Sequence, residues 1–180
     1  MWIGLTGTPG TGKTATADWL RAHGIQVVDL FSFATTHNCL CGEDPTRHTK
    51  LIDIDCLNTA IITTYTPDQT LLFEGHFAHL LPLDKVIILR CHPTTLRRRL
   101  QEKNYEPAKI QENVDAETLD VILCEAADLH PEDHCYEIDT TTRTTEETGT
   151  IIQTLITAKF PRETNYKIGA IDWSEEILKK

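Results

Sequence analysis

An eight-residue segment near the start of the chain has the residue types and spacing of a phosphate-binding loop. It reads Gly7-Thr8-Pro9-Gly10-Thr11-Gly12-Lys13-Thr14 and satisfies G-x-x-x-x-G-K-[ST]. Glycines in such a loop let successive N–H groups surround a phosphate. Lys13 would reach the β- and γ-phosphates of a nucleotide, and the Thr14 hydroxyl would bind Mg²⁺. The alternative is a glycine-rich turn with an exposed lysine.

A carboxylate and a histidine form a second candidate group, in Phe73-Glu74-Gly75-His76 at the end of a predicted strand. Ligands of open α/β folds bind at the carboxyl ends of strands, so Glu74 is predicted as the second Mg²⁺ anchor. Otherwise it is a surface glutamate. His76 would orient an attacking water or the acceptor phosphate; the alternative is a polar loop residue.

Basic residues follow the fourth predicted strand. Arg97, Arg98 and Arg99 lie on a predicted helix, where consecutive side chains point about 100° apart, so they cannot all face one phosphate. We predict that Arg99 clamps a transferring phosphoryl group and that Lys103, beside a predicted lid, supplies further charge. The alternative is that these basic side chains lie on a solvated face of the helix and contact no phosphate. No N-K-x-D segment for guanine occurs, which favours ATP as the nucleotide.

The elements that must position these groups alternate between short apolar runs and stretches of helical period. Strands are predicted at residues 2–5, 26–29, 70–73, 85–89 and 135–138, and helices at 13–23, 51–62, 93–100 and 108–127. Such alternation predicts an α/β P-loop fold: a five-stranded parallel sheet with helices on both faces. The Asp29 carboxylate would then end the second strand.

The same pattern suggests a division of the chain. A P-loop domain is predicted over residues 1–159, with a small insert at about 31–66 and a short lid at about 100–112. Residues 160–180 leave the pattern and are interpreted as a tail that docks or stays mobile. Trp173 would either anchor a partner protein or pack back on the domain.

The amino-acid composition excludes several classes of protein. The chain has 180 residues, and 17 basic against 27 acidic side chains give a net charge of −10, which excludes a disordered tail or fibrous chain. An acidic protein is not expected to bind nucleic-acid backbones broadly. Neither a membrane span nor a signal peptide is recognisable, so we expect an intracellular, cytoplasmic protein.

Six scattered cysteines are expected to be reduced thiols, because no C-x-x-C pair occurs. Zinc bound by His37, Cys39 and Cys41, with His48 behind them, is a weaker alternative.

With these motifs in view, the chain resembles the atypical adenylate kinases of the nuclear, coilin-interacting type and their archaeal counterparts. The resemblance covers roughly residues 3–156 and rests on the phosphate-binding loop, the Glu74-Gly75-His76 triplet at the family's D-x-H, and a lid-like segment. That segment, Arg99-Leu-Gln-Glu-Lys-Asn-Tyr105 followed by Lys109-Ile110 and Glu112-Asn113, looks like R-L-x-x-R-G-Y-x-x-x-K-I-x-E-N. Lys103 replaces the second arginine, so the lid is expected to catalyse more weakly.

The resemblance implies an adenylate kinase with ATPase activity and Mg²⁺. Residues 1–159 would then be a P-loop kinase domain, and the insert at about 31–66 would bind the monophosphate. AMP would lie between the sheet edge and residues 29–57, beside Asp29, and Lys13, Glu74, His76, Arg99 and Lys103 would be catalytic. It also implies a role in maturing the small ribosomal subunit through a ribosomal protein partner. The rival interpretation is an ATP-hydrolysing assembly factor whose affinity switch for that basic protein, rather than kinase turnover, is the physiological activity.

Overall fold

The computed structural model describes residues 1–44 and 49–179. Its strands are Trp2–Thr6 (β1), Val27–Asp29 (β2), Leu40–Asp44 (β3), Thr49–Ile52 (β4), Leu71–Glu74 (β5), Lys85–Arg90 (β6) and Cys135–Asp139 (β7). Its α-helices are Lys13–Ala22 (α1), Leu30–Thr36 (α2), Ile54–Thr64 (α3), Pro93–Glu102 (α4), Pro107–Thr118 (α5), Val121–Leu129 (α6) and Thr145–Thr157 (α7). Short 3-10 helices occur at Ala78–Leu80, Glu132–His134 and Ser174–Lys179.

The central sheet has the strand order β2-β5-β1-β6-β7, and each neighbouring pair is parallel. Helices α1 and α7 cover one face, where Leu20 and Ile152 are buried with Leu5 and Ile87. Helices α2, α3 and α6 cover the other face. Burial on both faces explains why these strands are continuous apolar runs. The predicted α/β fold, with a five-stranded parallel sheet and helices on both faces, is confirmed.

The segment between α2 and α3 differs from the prediction. Strands β3 and β4 pair as an antiparallel hairpin, so residues 51 and 52 are extended rather than helical. Helix α3 begins only at Ile54, because the Asp53 side chain caps it by accepting a hydrogen bond from the Cys56 N–H at 2.9 Å. The predicted helix over residues 51–62 was therefore wrong at its start.

The predicted helix over residues 108–127 is also wrong, because the chain breaks it into α5 and α6. The break is at Asp120, which has a left-handed backbone with φ of 56°. The Asp120 carboxylate pairs with the guanidinium of buried Arg90. A tertiary ion pair thus stabilises a turn that helical periodicity does not reveal.

Two cysteines form a disulfide, which corrects the expectation of reduced thiols at those positions. Cys39 follows α2 and Cys56 lies in the first turn of α3, and their Cα atoms are 5.5 Å apart. Cys41, Cys91, Cys124 and Cys135 are free. Within residues 1–44 and 49–179, no cluster of three or more His, Cys, Asp or Glu side chains could hold a metal ion, and His48 lies outside the described residues.

Breaking this disulfide should lower the free energy of unfolding by about 3 kcal/mol. The disulfide closes a loop between residues 17 positions apart, and without it the unfolded chain gains conformational freedom. Urea unfolding with and without a reductant measures the change. Cys41→Ser, which removes an exposed free thiol, is the matched control. Equal unfolding midpoints with and without reductant would contradict the expectation.

The tail packs against the domain. The Glu137 N–H of β7 donates to the Tyr166 carbonyl at 2.9 Å, and one Glu137 carboxylate oxygen accepts the N–H groups of Ala170 and Ile171 at 2.7 and 2.8 Å. The Trp173 ring lies edge-on to His92, with centroids 5.0 Å apart. Of the two interpretations of Trp173, the structure shows packing on the domain.

Deleting residues 161–180 should lower the melting temperature by about 4–8 °C, because the buried Glu137 carboxylate loses two donors, a loss of about 2 kcal/mol. Differential scanning calorimetry measures the shift. Glu175→Gln changes an exposed tail residue and serves as the control. A truncated protein that melts with the full chain would show that the docked tail adds no stability.

None of the helices in the described part of the chain combines the length and the apolar character needed to cross a bilayer.

Candidate functional site

The phosphate-binding loop connects β1 to α1 at the carboxyl edge of the sheet. Gly7, Gly10 and Gly12 have φ values of 138°, 97° and 103°, a region that side chains disfavour. A Cβ atom on Gly7 would lie 2.4 Å from the Leu89 carbonyl oxygen. The backbone of β6 therefore requires glycine here. Gly12 caps α1, so the positive end of the helix dipole faces the loop.

Lys13, the first residue of α1, folds back over the loop. Its Nζ donates to the carbonyl oxygens of Gly7 at 2.7 Å and Thr8 at 3.1 Å. Burial lowers its pKa to about 8, although the carboxylates of Glu74 and Glu117 act in the opposite direction. The ammonium therefore lies inside the loop, bonded to groups that an arriving phosphate would replace.

Two carboxylates end neighbouring strands beside the loop. Asp29 of β2 is in register with Glu74 of β5, and their side chains interact. The Thr14 hydroxyl donates to Glu74 Oε1 at 3.3 Å. Burial raises the pKa of Glu74, against the charge of Lys13. Hydroxyl and carboxylate oxygens are the donors that Mg²⁺ prefers, so Thr14 and Glu74 fit the ion that a P-loop uses.

Asp29 also has a structural task. Its carboxylate accepts the Ser32 N–H at 2.6 Å and so caps α2. Although burial acts in the opposite direction, the hydrogen bonds from Ser32 lower the pKa of Asp29. Asp29 is therefore a fixed anion at the start of the segment that was predicted to bind the acceptor.

His76 lies just beyond β5, with an exposed side chain. Neighbouring groups displace part of the water around the ring, and this loss of solvation, together with the charge of Lys13, lowers the pKa of His76 to about 4. The ring is thus neutral at pH 7 and able to accept a hydrogen bond. It packs edge-on to Phe77, with centroids 5.0 Å apart.

A cavity of about 310 Å³ brings most of these groups together. Lys13, Thr14, Asp29, Glu74, His76 and Lys103 all line it, together with the rings of Phe31, Phe77 and Tyr105. Its polar groups meet at the loop, and its aromatic rings offer flat apolar surfaces.

A second cavity, of about 290 Å³, adjoins the same loop. It is lined by Gly10, Thr11, Gly12, Thr16, Arg99, Glu102, Lys103, Thr140, Arg143, Thr144, Thr145 and Thr148. Gly10, Gly12 and Lys103 line both cavities. Two cavities that share one phosphate-binding loop can hold two ligands whose ends meet at the loop.

Arg99 lines the second cavity and not the first. Its Nη2 donates to the Thr140 carbonyl at 2.7 Å and its Nη1 to the Thr140 hydroxyl at 3.3 Å. Of the predicted catalytic residues, the structure brings Lys13, Glu74, His76 and Lys103 to one cavity and leaves Arg99 beside the loop after β7.

The sequence analysis missed the residues outside the phosphate-binding loop that form hydrogen bonds with it. Glu117 of α5 is buried; its Oε2 accepts the Thr8 hydroxyl at 2.5 Å, and its Oε1 accepts Arg90 Nε and the Cys91 N–H, each at 2.9 Å. The hydroxyl of Thr140 lies 2.8 Å from the Thr11 carbonyl oxygen. Glu117 gave no signal along the chain, since an acid on a helix is ordinarily solvated.

Sequence comparisons relate this chain to known proteins. A family model described as an AAA domain matches residues 3–120. A protein of Archaeoglobus fulgidus named "Putative adenylate kinase" is 40% identical over 177 residues, which is 98% of this chain and 94% of that protein. A protein of the same name from Methanocaldococcus jannaschii is 36% identical over 180 residues, 99% of this chain and 96% of that one.

Solved structures support the fold. Shikimate kinase from Bacteroides thetaiotaomicron superposes with a TM-score of 0.59 at 17% identity, covering 87% of this chain and 98% of that chain. A gluconokinase from Sinorhizobium meliloti gives 0.56 at 13% identity, covering 88% and 92%. The chain therefore belongs to the AAA-domain family, shares its full length with the archaeal relatives named above, and has the fold of small P-loop kinases.

Proposed function

We propose that this protein is a nucleotide kinase that transfers the γ-phosphate of Mg-ATP to AMP, giving two ADP, and that it also hydrolyses ATP. The observation that carries the proposal is the pair of cavities that share one phosphate-binding loop, with Gly10 and Gly12 lining both. A hydrolase needs only one nucleotide cavity, whereas phosphoryl transfer between nucleotides needs two. The names of the archaeal relatives support adenylate as the nucleotide.

ATP would place its nucleoside in the cavity lined by Arg99 and Thr144 and its phosphates along the loop. Lys13 would exchange the carbonyls of Gly7 and Thr8 for phosphate oxygens. Bound Mg²⁺ supplies charge neutralisation of the phosphates. Thr14 and Glu74 would hold that ion. Phosphoryl transfer asks the protein chiefly for positioning and charge, so no covalent nucleophile is required.

The acceptor would lie in the cavity lined by Asp29 and the aromatic rings. Phe31, with 47% of its surface exposed, offers a face on which a base can stack. The Asp29 carboxylate repels a phosphate and accepts hydrogen bonds, so it would contact a ribose hydroxyl or a base amino group. The acceptor phosphate would then point toward the loop.

Lys103 is the cation placed to act on both nucleotides, because it lines both cavities. It follows α4 directly, at the start of the proposed lid. Arg99 would reach a transferring phosphoryl group only by releasing the Thr140 carbonyl. We propose Lys103 as the principal lid cation and Arg99 as a donor-side residue whose catalytic role needs that release.

The second candidate function is an assembly factor in which ATP hydrolysis changes the affinity for a basic protein of the small ribosomal subunit, in the cytoplasm. The neutral ring of His76 beside Lys13 favours it, because such a ring can orient an attacking water. The net charge of −10 suits a basic partner.

Product analysis tests the proposal. The protein is incubated with Mg-ATP alone and with each nucleoside monophosphate, and the products are separated by ion-exchange chromatography. ADP formed at twice the rate of AMP consumption supports the kinase. Phosphate release without an acceptor, stimulated by a basic ribosomal protein, supports the second function. No ATP consumption in any mixture would overturn both.

His76→Ala should separate the two activities. Hydrolysis without an acceptor should fall about a hundredfold, since a water must be oriented, while AMP phosphorylation falls much less, since bound AMP is held by its own contacts. Steady-state rates of phosphate and ADP production measure both. His134→Ala, at a partly exposed histidine on the 3-10 helix before β7, is the control. Equal losses in the two assays would assign His76 to both reactions or to the fold.

A further inference from the structure

A chain of hydrogen bonds runs behind His76, from the sheet to the protein surface. The Thr6 hydroxyl, at the end of β1, lies 3.0 Å from the His76 carbonyl oxygen and 3.1 Å from Nδ1 of His79. His79 Nε2 lies 2.9 Å from Oε2 of Glu125 on α6. Thr6 and His79 are buried, whereas 53% of the Glu125 side chain is exposed. A surface carboxylate is thus connected to the backbone of the proposed water-orienting residue.

The protons in this chain can be assigned from the partners. An ionised carboxylate only accepts, so His79 Nε2 must carry a proton and donate it to Glu125. Burial lowers the pKa of His79, which keeps the ring neutral and leaves Nδ1 as an acceptor. The single hydroxyl proton of Thr6 can then go to Nδ1 or to the His76 carbonyl, but not to both.

The backbone of His79 is held by a further contact. Nε2 of buried His130, which follows α6, lies 2.7 Å from the His79 carbonyl oxygen. His79 belongs to the short 3-10 helix that packs against α6. Because this backbone is held and His79 is only 2% exposed, we expect a change at Glu125 to alter the protons of the ring more than its position.

We propose that His79 is a positioning residue for His76. By competing with the His76 carbonyl oxygen for the Thr6 hydroxyl proton, it sets the hydrogen bonding of that carbonyl, with Glu125 as the surface end of the chain of hydrogen bonds. Thr6 directly precedes Gly7, so the same hydroxyl lies at the start of the phosphate-binding loop. The link from this chain of hydrogen bonds to ATP hydrolysis rests on the proposed function. The proton arrangement itself does not.

Nuclear magnetic resonance of the full chain without nucleotide tests the arrangement. Long-range ¹H–¹⁵N spectra of the imidazole rings should show His79 with its proton on Nε2. Glu125→Ala should mix the two ring forms and shift the Phe77 amide resonance, because the Phe77 nitrogen shares a peptide group with the His76 carbonyl. Glu125→Gln, whose amide oxygen still accepts, should restore both signals. Asp128→Ala, an exposed acid on the same helix, should change neither. A proton on Nδ1 in the unmodified protein would overturn the proposal.

Kinetics test the consequence. Glu125→Ala should lower kcat for ATP hydrolysis about tenfold without changing KM for ATP, because the effect is on orientation and not on nucleotide binding. Glu125→Gln should recover the rate, and Asp128→Ala should match the unmodified protein. Equal rates for Glu125→Ala and Asp128→Ala would overturn the link to His76. If the unmodified protein does not hydrolyse ATP, the proposed ATPase activity fails, while the resonance experiment still decides the arrangement.

Discussion

Replacing Lys13 with alanine should lower both AMP phosphorylation and ATP hydrolysis by about a hundredfold to a thousandfold, because the loop loses the cation that faces the charge of the transition state. Backbone N–H groups and the end of α1 would still bind phosphate, so nucleotide affinity should fall less than turnover. Coupled-enzyme rates and calorimetric titration with ATP measure the two losses.

The fold should survive this change, since the only hydrogen bonds of the lysine are those to the loop carbonyls of Gly7 and Thr8 among the contacts of the described residues. Circular dichroism checks this. Lys159→Ala, at an exposed position just after α7, is the matched control and should retain full activity. A folded Lys13→Ala protein with normal turnover would contradict the assignment of the loop.

The largest expected effect on stability is at Arg90. Arg90 is 1% exposed, and its guanidinium contacts the carboxylates of Glu117, Asp120 and Glu137. Arg90→Met should lower the free energy of unfolding by about 3–5 kcal/mol, because the buried carboxylates lose their countercharge. Urea unfolding followed by circular dichroism measures the loss.

Two further variants make this result specific. Arg98→Met removes an exposed arginine of α4 and should leave the unfolding midpoint unchanged. Arg90→Met combined with Glu117→Gln should recover part of the loss, since one buried charge is removed with its partner. If Arg90→Met unfolds at the same urea concentration as Arg98→Met, the buried cluster does not stabilise the fold.

Local sequence was sufficient to predict those features whose determining residues lie within a few positions of one another. The glycine and lysine spacing from Gly7 to Thr14 predicts the loop because backbone curvature and the start of α1 are local properties. The apolar strands were predictable because burial on both faces removes polar residues from them. Their carboxyl ends then place Asp29, Glu74 and His76 at one edge, where the structure has them.

Only the tertiary structure decided how distant residues meet. The predicted helix at residues 108–127 is interrupted at Asp120, which pairs with Arg90, and the hydrogen bond between Thr8 and Glu117 spans 109 positions. The disulfide joins Cys39 to Cys56 because the pairing of β3 with β4 brings Cys39 beside Asp53, the residue that caps α3. Arg99 bonds Thr140 because the loop after β7 approaches α4. Periodicity reports only which face of an element is apolar. It carries no information about which polar groups are brought together when those faces pack, and these groups are the ones that support the site.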